Sequence, residues 1–179
     1  MNIELILSIT GALAAAFKWI YEYSRKLKWE MNVFLLEQIE KFRGLESTKA
    51  MEKMLDWNAI YISLQDERIL VNDLMLIGAF KTHDIKHTFT GDEAKLRNVF
   101  DEYFDNLTKF IFMAQAGLVD KKNLVLFLEY WFKILSGISK SKSHEVLNEM
   151  WKYMNFYGYV DLIQFIEEYK NSIKIKNKK

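Results

Sequence analysis

Leu5–Phe17 reads LILSITGALAAAF, thirteen residues without a charge, and Lys18, Arg25, Lys26 and Lys28 follow within about three helical turns. Apolar first and basic second is the pattern of a membrane helix whose following chain stays in the cytoplasm. A helix rises 1.5 Å per residue, so it needs about twenty residues to cross a hydrocarbon core of roughly 30 Å. The span therefore has to run from Met1 to Ile20, with Glu4 at the outer interface and Lys18 reaching toward the inner one. Trp19, Tyr21, Tyr23 and Trp29 supply aromatic rings at headgroup level. The expectation is a single-pass protein of the cell inner membrane, N-terminus out and C-terminal domain cytoplasmic, with the lipid bilayer as a partner. A cleaved signal peptide would carry its basic residues before the apolar run, and here they come after it. The alternative is a soluble helical interaction module in which the first helix completes the core.

At 179 residues the chain has room for one domain and an appendage, and the portion after the first helix can bury a core without staples. The absence of cysteine removes thiol catalysis, disulfides and thiolate zinc sites. Net charge is +1, so no global field draws the protein to nucleic acid. The charge is uneven, because Lys170–Lys179 holds five lysines and no acid, which reads as a solvated tail. Proline is absent altogether, which permits long uninterrupted helices. The domain organisation expected is a transmembrane anchor over 1–22, a cytoplasmic helical bundle over 23–172 and a basic disordered tail over 173–179.

Helical periodicity continues past the anchor through Tyr23, Leu27, Phe34, Leu35, Ile39 and Phe42, with Gly44 as terminator. Ser47 can cap a second helix running to Leu64, and Asp66 a third, with Ile69, Leu70, Leu74, Ile77 and Phe80 as its stripe. Residues 81–90 read as a polar loop. Thr90-Gly-Asp-Glu93 is a capping box that opens a long helix to Gly117; Asp120 and Ser143 cap two more, and Asp161 sits early in the last. The sum is an all-α chain, one transmembrane helix continuing into a bundle of about six helices.

Glu4, Ser8, Gly11, Ala15 and Lys18 fall on one face of the first helix, and small residues there allow close helix approach. That seam points to a homo-oligomer, with a membrane pore as one outcome. His83 and His87 have the four-residue spacing of helical metal sites but fall in the expected loop, so they read as surface histidines and no metal or cofactor is expected. Arg97 with Asp101, and Asp105 with Lys109, are i to i+4 pairs that read as a solvated face. Phe127, Tyr130, Trp131, Trp151 and Phe156 read as core.

The short anchor, the basic turn after it and the proline-free helical domain resemble the small membrane-associated accessory protein of type VI-B CRISPR systems. That resemblance implies a HEPN-like helical fold, pore formation, and a functional link to an RNA-guided RNA-cleaving effector in antiphage defence, without catalysis by this chain. HEPN ribonucleases pair an arginine with a histidine four to six residues on, and Arg25, Arg43, Arg68 and Arg97 have no such histidine. The nearest substitute is Lys152 with Tyr157 in WKYMNFY. Lysine lacks the bidentate fork and tyrosine is a poor proton shuttle at neutral pH. A degenerate HEPN-type ribonuclease using Lys152 and Tyr157, with direct contact to nucleic acid, is therefore the alternative function.

Overall fold

The computed structural model describes residues 3–64 and 66–176, with the backbone alone at 3–10, 12 and 176. Among them are seven helices and one hairpin: α1 (Ile3–Gly44), α2 (Glu46–Asp56), β1 (Ala59–Leu64), β2 (Glu67–Asn72), α3 (Asp73–Ala79), α4 (Gly91–Gln115), α5 (Lys121–Leu135), α6 (His144–Phe156) and α7 (Val160–Lys176). The chain is mostly helical, as its composition implies.

α4 is the central element, packed on α2, α3, α5 and α7. Its Leu96, Phe100, Tyr103, Phe104 and Leu107 repeat at threes and fours and are all at most 1% exposed. The expected caps at Thr90, Asp120 and Ser143 are present, each accepting from a backbone N–H of the first turn. Only the last third of α1 joins the core, through Leu35, Ile39 and Phe42. Phe42 meets Phe110 edge to face, with ring centres 5.5 Å apart.

The structure is consistent with the expected all-α bundle, and the expected second and third helices are corrected at residues 57–72. The second helix stops at Asp56, and in place of its end and of the third helix's beginning stands an antiparallel hairpin pairing Leu64 with Glu67, Ile62 with Ile69 and Ile60 with Val71. Asp66 does not cap a helix; it turns the hairpin at φ 66°, in the left-handed region that aspartate tolerates. The physical cause is alternation: Ile62, Leu64, Ile69 and Val71 are buried, while Tyr61 and Leu70 face outward. Ser47 is not a cap either. It is buried one residue inside α2, whose N-cap is Leu45. Buried Lys142 holds both feet of the hairpin, donating to the Trp57 carbonyl at 2.7 Å and to Asp73 at 2.8 Å.

No helix among the described residues is long and apolar enough to cross a membrane. The single-pass inner-membrane location is thereby corrected. The uncharged run of α1 covers thirteen residues, roughly 20 Å of helix, and is diluted by serine, threonine, glycine and alanine. α1 runs unbroken across the expected 22/23 boundary, and burial begins only at Met31. Residues 173–176 of the expected tail form the end of α7, with Ile173 packed against the core; 177–179 lie outside the described residues.

Glu93 locks the start of α4 to α3. Its carboxylate accepts from the Thr90 N–H at 2.8 Å, and a Cβ added at Gly78 would lie 2.0 Å from Glu93 Oε1. Gly78→Ala should therefore destabilise the fold by about 1–3 kcal/mol. In a Glu93→Ala background the same substitution should become neutral or stabilising by up to about 1 kcal/mol, through helix propensity. Urea unfolding of the four proteins in this cycle measures both signs.

Candidate functional site

Two regions stand out, the free length of α1 and a hydrogen-bonded knot around Arg97 where α3, α4 and α6 meet. From Gly11 to Glu30 every residue of α1 whose side chain is described is exposed. Among the described residues the ion pairs and ring stacking there lie within the helix: Lys18 and Glu22 are 3.9 Å apart, Lys26 and Glu30 3.8 Å, and Trp19 stacks on Tyr23. Gly11, Ala15 and Lys18 of the expected seam are exposed, and the side chains of Glu4 and Ser8 lie outside the described residues.

The opposite face of the rod was missed by attention to that seam. Leu13, Phe17, Ile20, Ser24, Leu27, Met31 and Phe34 recur at alternating fours and threes, the 3.5-residue period of a coiled-coil stripe. No member is charged. Leu13 and Ile20 are each 53% exposed and Phe17 70%, whereas Phe34 is half-buried against the bundle. The stripe thus starts on the core and runs out into the open. Lys18, Glu22, Arg25 and Lys26 all lie off it, one residue in seven serving each flanking position.

In the knot, Arg97 is 7% exposed, although the sequence placed it on a solvated face with Asp101. That expectation is corrected. Its Nη1 donates to the carbonyls of Ala79 at 2.7 Å and Lys81 at 2.6 Å, and its Nη2 donates to the Tyr157 hydroxyl at 2.5 Å. His83 Nε2 lies 3.4 Å from the same Nη2. The guanidinium also faces the rings of Phe89 at 4.3 Å and Tyr153 at 5.0 Å, both cation–π distances. Ala79 closes α3, so the guanidinium also sits at the negative end of that helix. Asp101, its supposed partner, accepts instead from Tyr153 and Tyr159. Burial, and after it the Asp101 hydrogen bond, pushes the Tyr153 phenol well above its usual range and keeps it a neutral donor.

His83 and His87 do lie in the loop between α3 and α4, as expected, but neither is idle. His87 Nε2 stands 3.3 Å from Glu93, and the rings of both histidines meet Phe89 edge to face. No group of three or more potential metal-ligating side chains is found among the described residues. Lys152 and Tyr157 hold different partners. Lys152 donates to Glu149 at 2.7 Å, and Tyr157 belongs to Arg97. Lys81 donates to the same Glu149 at 3.2 Å. Burial pushes the Glu149 carboxyl up, but hydrogen bonds and charge from Lys152 and Lys81 outweigh it and hold the group below its ordinary 4.5.

Of the aromatics read as core, Trp131 is buried and Trp151 half-buried, its indole N–H donating to the Leu135 carbonyl at 2.9 Å. Tyr130, Phe156 and Phe127 are exposed, a further correction. Tyr130 reaches sideways to hydrogen-bond Asp56, and Phe127 gives its carbonyl to Arg43 at 3.3 Å. Between α5 and α7 lies an open groove of about 720 Å³ with Leu126, Phe165 and Ile173 in its walls. Its mouth is crossed by the Lys121–Glu168 ion pair at 2.7 Å.

Two outcomes follow from the knot. Arg97→Met should cost about 2–4 kcal/mol, since two carbonyls lose their donor, and Arg97→Lys should recover less than half because an ammonium cannot fork to both; chemical unfolding measures each. Glu149, whose carboxyl is depressed on folding, contributes stability that is present above its ordinary 4.5 and fades as pH falls through the lower folded value. Glu149→Gln should flatten that part of the stability curve below pH 5, read by thermal unfolding across pH. No family model matches the chain, and neither does a curated protein or a solved structure.

Proposed function

We propose that this is a non-catalytic, self-associating helical protein whose copies join through α1. The observation that carries the proposal is the uncharged heptad stripe from Leu13 to Phe34, exposed over Leu13, Phe17, Ile20 and Leu27 on the part of α1 that precedes its seat in the core. A helix in water with such a stripe gains by burying it against an equal stripe, and a second copy supplies one of the same length and period. Each of these side chains contributes about 1.5–3 kcal/mol when taken fully out of water. Lys18, Glu22, Arg25 and Lys26 sit away from the stripe and stay hydrated in the pair, while Lys28 and Glu30 border it. The seam of Glu4, Ser8, Gly11, Ala15 and Lys18 then forms the outside of the assembly.

Absence of catalysis is supported by Lys152 and Tyr157 each being engaged with a different partner. A HEPN-like arrangement, and service beside an RNA-guided RNA-cleaving effector, rest on the resemblance stated above, of which the basic turn and the proline-free helical domain remain and the membrane anchor does not. They describe where such an assembly would act.

Sedimentation equilibrium should show the full chain as a concentration-dependent oligomer. Phe17→Glu with Ile20→Glu should shift it to monomer by at least a hundredfold in dissociation constant, while Gly11→Leu with Ala15→Leu should leave it unchanged. A wild-type chain that stays monomeric at millimolar concentration defeats the proposal. So does dissociation caused by the seam variant alone.

A further inference from the structure

α1 is one unbroken helix from Ile3 to Gly44, so the directions of its side chains are tied together along its length. At 3.6 residues per turn, side chains eighteen residues apart are separated by about five full turns and point to the same side. Phe17 therefore faces the way Leu35 does, and Ser24 the way Phe42 does. Leu35 and Phe42 are at most 3% exposed, held in the bundle. Leu13 shares its direction with Met31, where burial begins. The exposed stripe and the bundle thus lie on one side of α1, one after the other along its axis.

That placement restricts how a second copy lies on the stripe. Packed helices run with axes about 8–10 Å apart, so a partner rod fills the column directly in line with the first copy's bundle. A partner running in the same direction would drive its own residues 31–44 into that bundle, and its own bundle into the same space. Close-packed interiors leave no room for either. Sliding two parallel rods past each other only moves one bundle onto the other rod. A partner running in the opposite direction brings the free end of its rod toward the first bundle and holds its own bundle beyond the first rod, and both stay clear. The charges agree with that arrangement. Lys28 and Glu30 border the stripe near the bundle, and in the reversed pair they lie beside the outer half of the partner rod, whose residues 5–17 carry no charge.

We propose that the stripe is covered by a second α1 running antiparallel, so that the two bundles stand at opposite ends of a shared two-helix rod. This rests on the self-association proposed above and adds its direction. Helical rise sets a lower bound on the span. Even with Leu13 drawn level with the partner's Met31, the two Glu40 positions are separated by about 54 Å along the rod. In a parallel pair they would stand side by side, within about 30 Å.

Spin labels on Glu40→Cys, an exposed site in a chain without cysteine, measure that separation by pulsed dipolar spectroscopy of the full-length protein. The distance should exceed about 50 Å, and labels on exposed Glu37→Cys should lie roughly 9 Å closer, because each label moves three residues toward the other. Adding Phe17→Glu and Ile20→Glu should abolish the dipolar signal. A dimer by sedimentation whose Glu40 labels lie within about 30 Å, or whose distance is the same at both sites, overturns the antiparallel arrangement and leaves association standing. A chain that sediments as a monomer at millimolar concentration removes association, and the arrangement with it.

Discussion

Leu35, Ile39 and Phe42 seat the last turns of α1 in the core, and this one attachment governs the rest of the molecule. A helix is stiff over its length, so fixing its end against α2 and α5 fixes the direction of the thirty residues before it. The Asn123 side chain adds a hydrogen bond to Asn32 at 2.6 Å, close to the point where packing stops. Beyond it the apolar stripe has nowhere inside the domain to go. Its free face is a consequence of the fold, and association is the way such a face leaves water.

Arg97 plays a comparable part on the other side of the bundle. The loop between α3 and α4 carries Phe89, His83 and His87, and the guanidinium draws its backbone down by two carbonyls while the rings close over it. The cap of Thr90 and Glu93 finishes the same junction, and Gly78 leaves the space that Glu93 needs.

Much of the helical framework was legible in the sequence. The capping box at Thr90, the caps at Asp120 and Ser143 and the terminator Gly44 are local signals, and each lies where its chemistry placed it. The hairpin was not legible, because Met54, Leu55 and Ile62 keep a helical spacing across a junction where Ile60, Ile62 and Leu64 also alternate. Only the turn at Asp66 separates the two periods. The burial of Arg97 was hidden for another reason: its partners come from α3, the loop and α6, up to sixty residues away, and an i to i+4 acid nearby suggested a surface pair. The rod was misjudged through composition. Basic and aromatic residues after an apolar run mimic a membrane flank, and the heptad order of Leu13, Phe17, Ile20 and Leu27 was the signal that could have separated the two.

The chain has no cysteine, so a single one reports on its position without background. Alkylation rates of Ser24→Cys, on the stripe, and Ala15→Cys, on the opposite face, measured across a thousandfold range of protein concentration, address the burial of α1 by a second copy most directly. Ser24→Cys should react slowly at high concentration and speed up on dilution, with Ala15→Cys fast throughout. Equal rates at every concentration would leave the stripe in water and end the case for self-association.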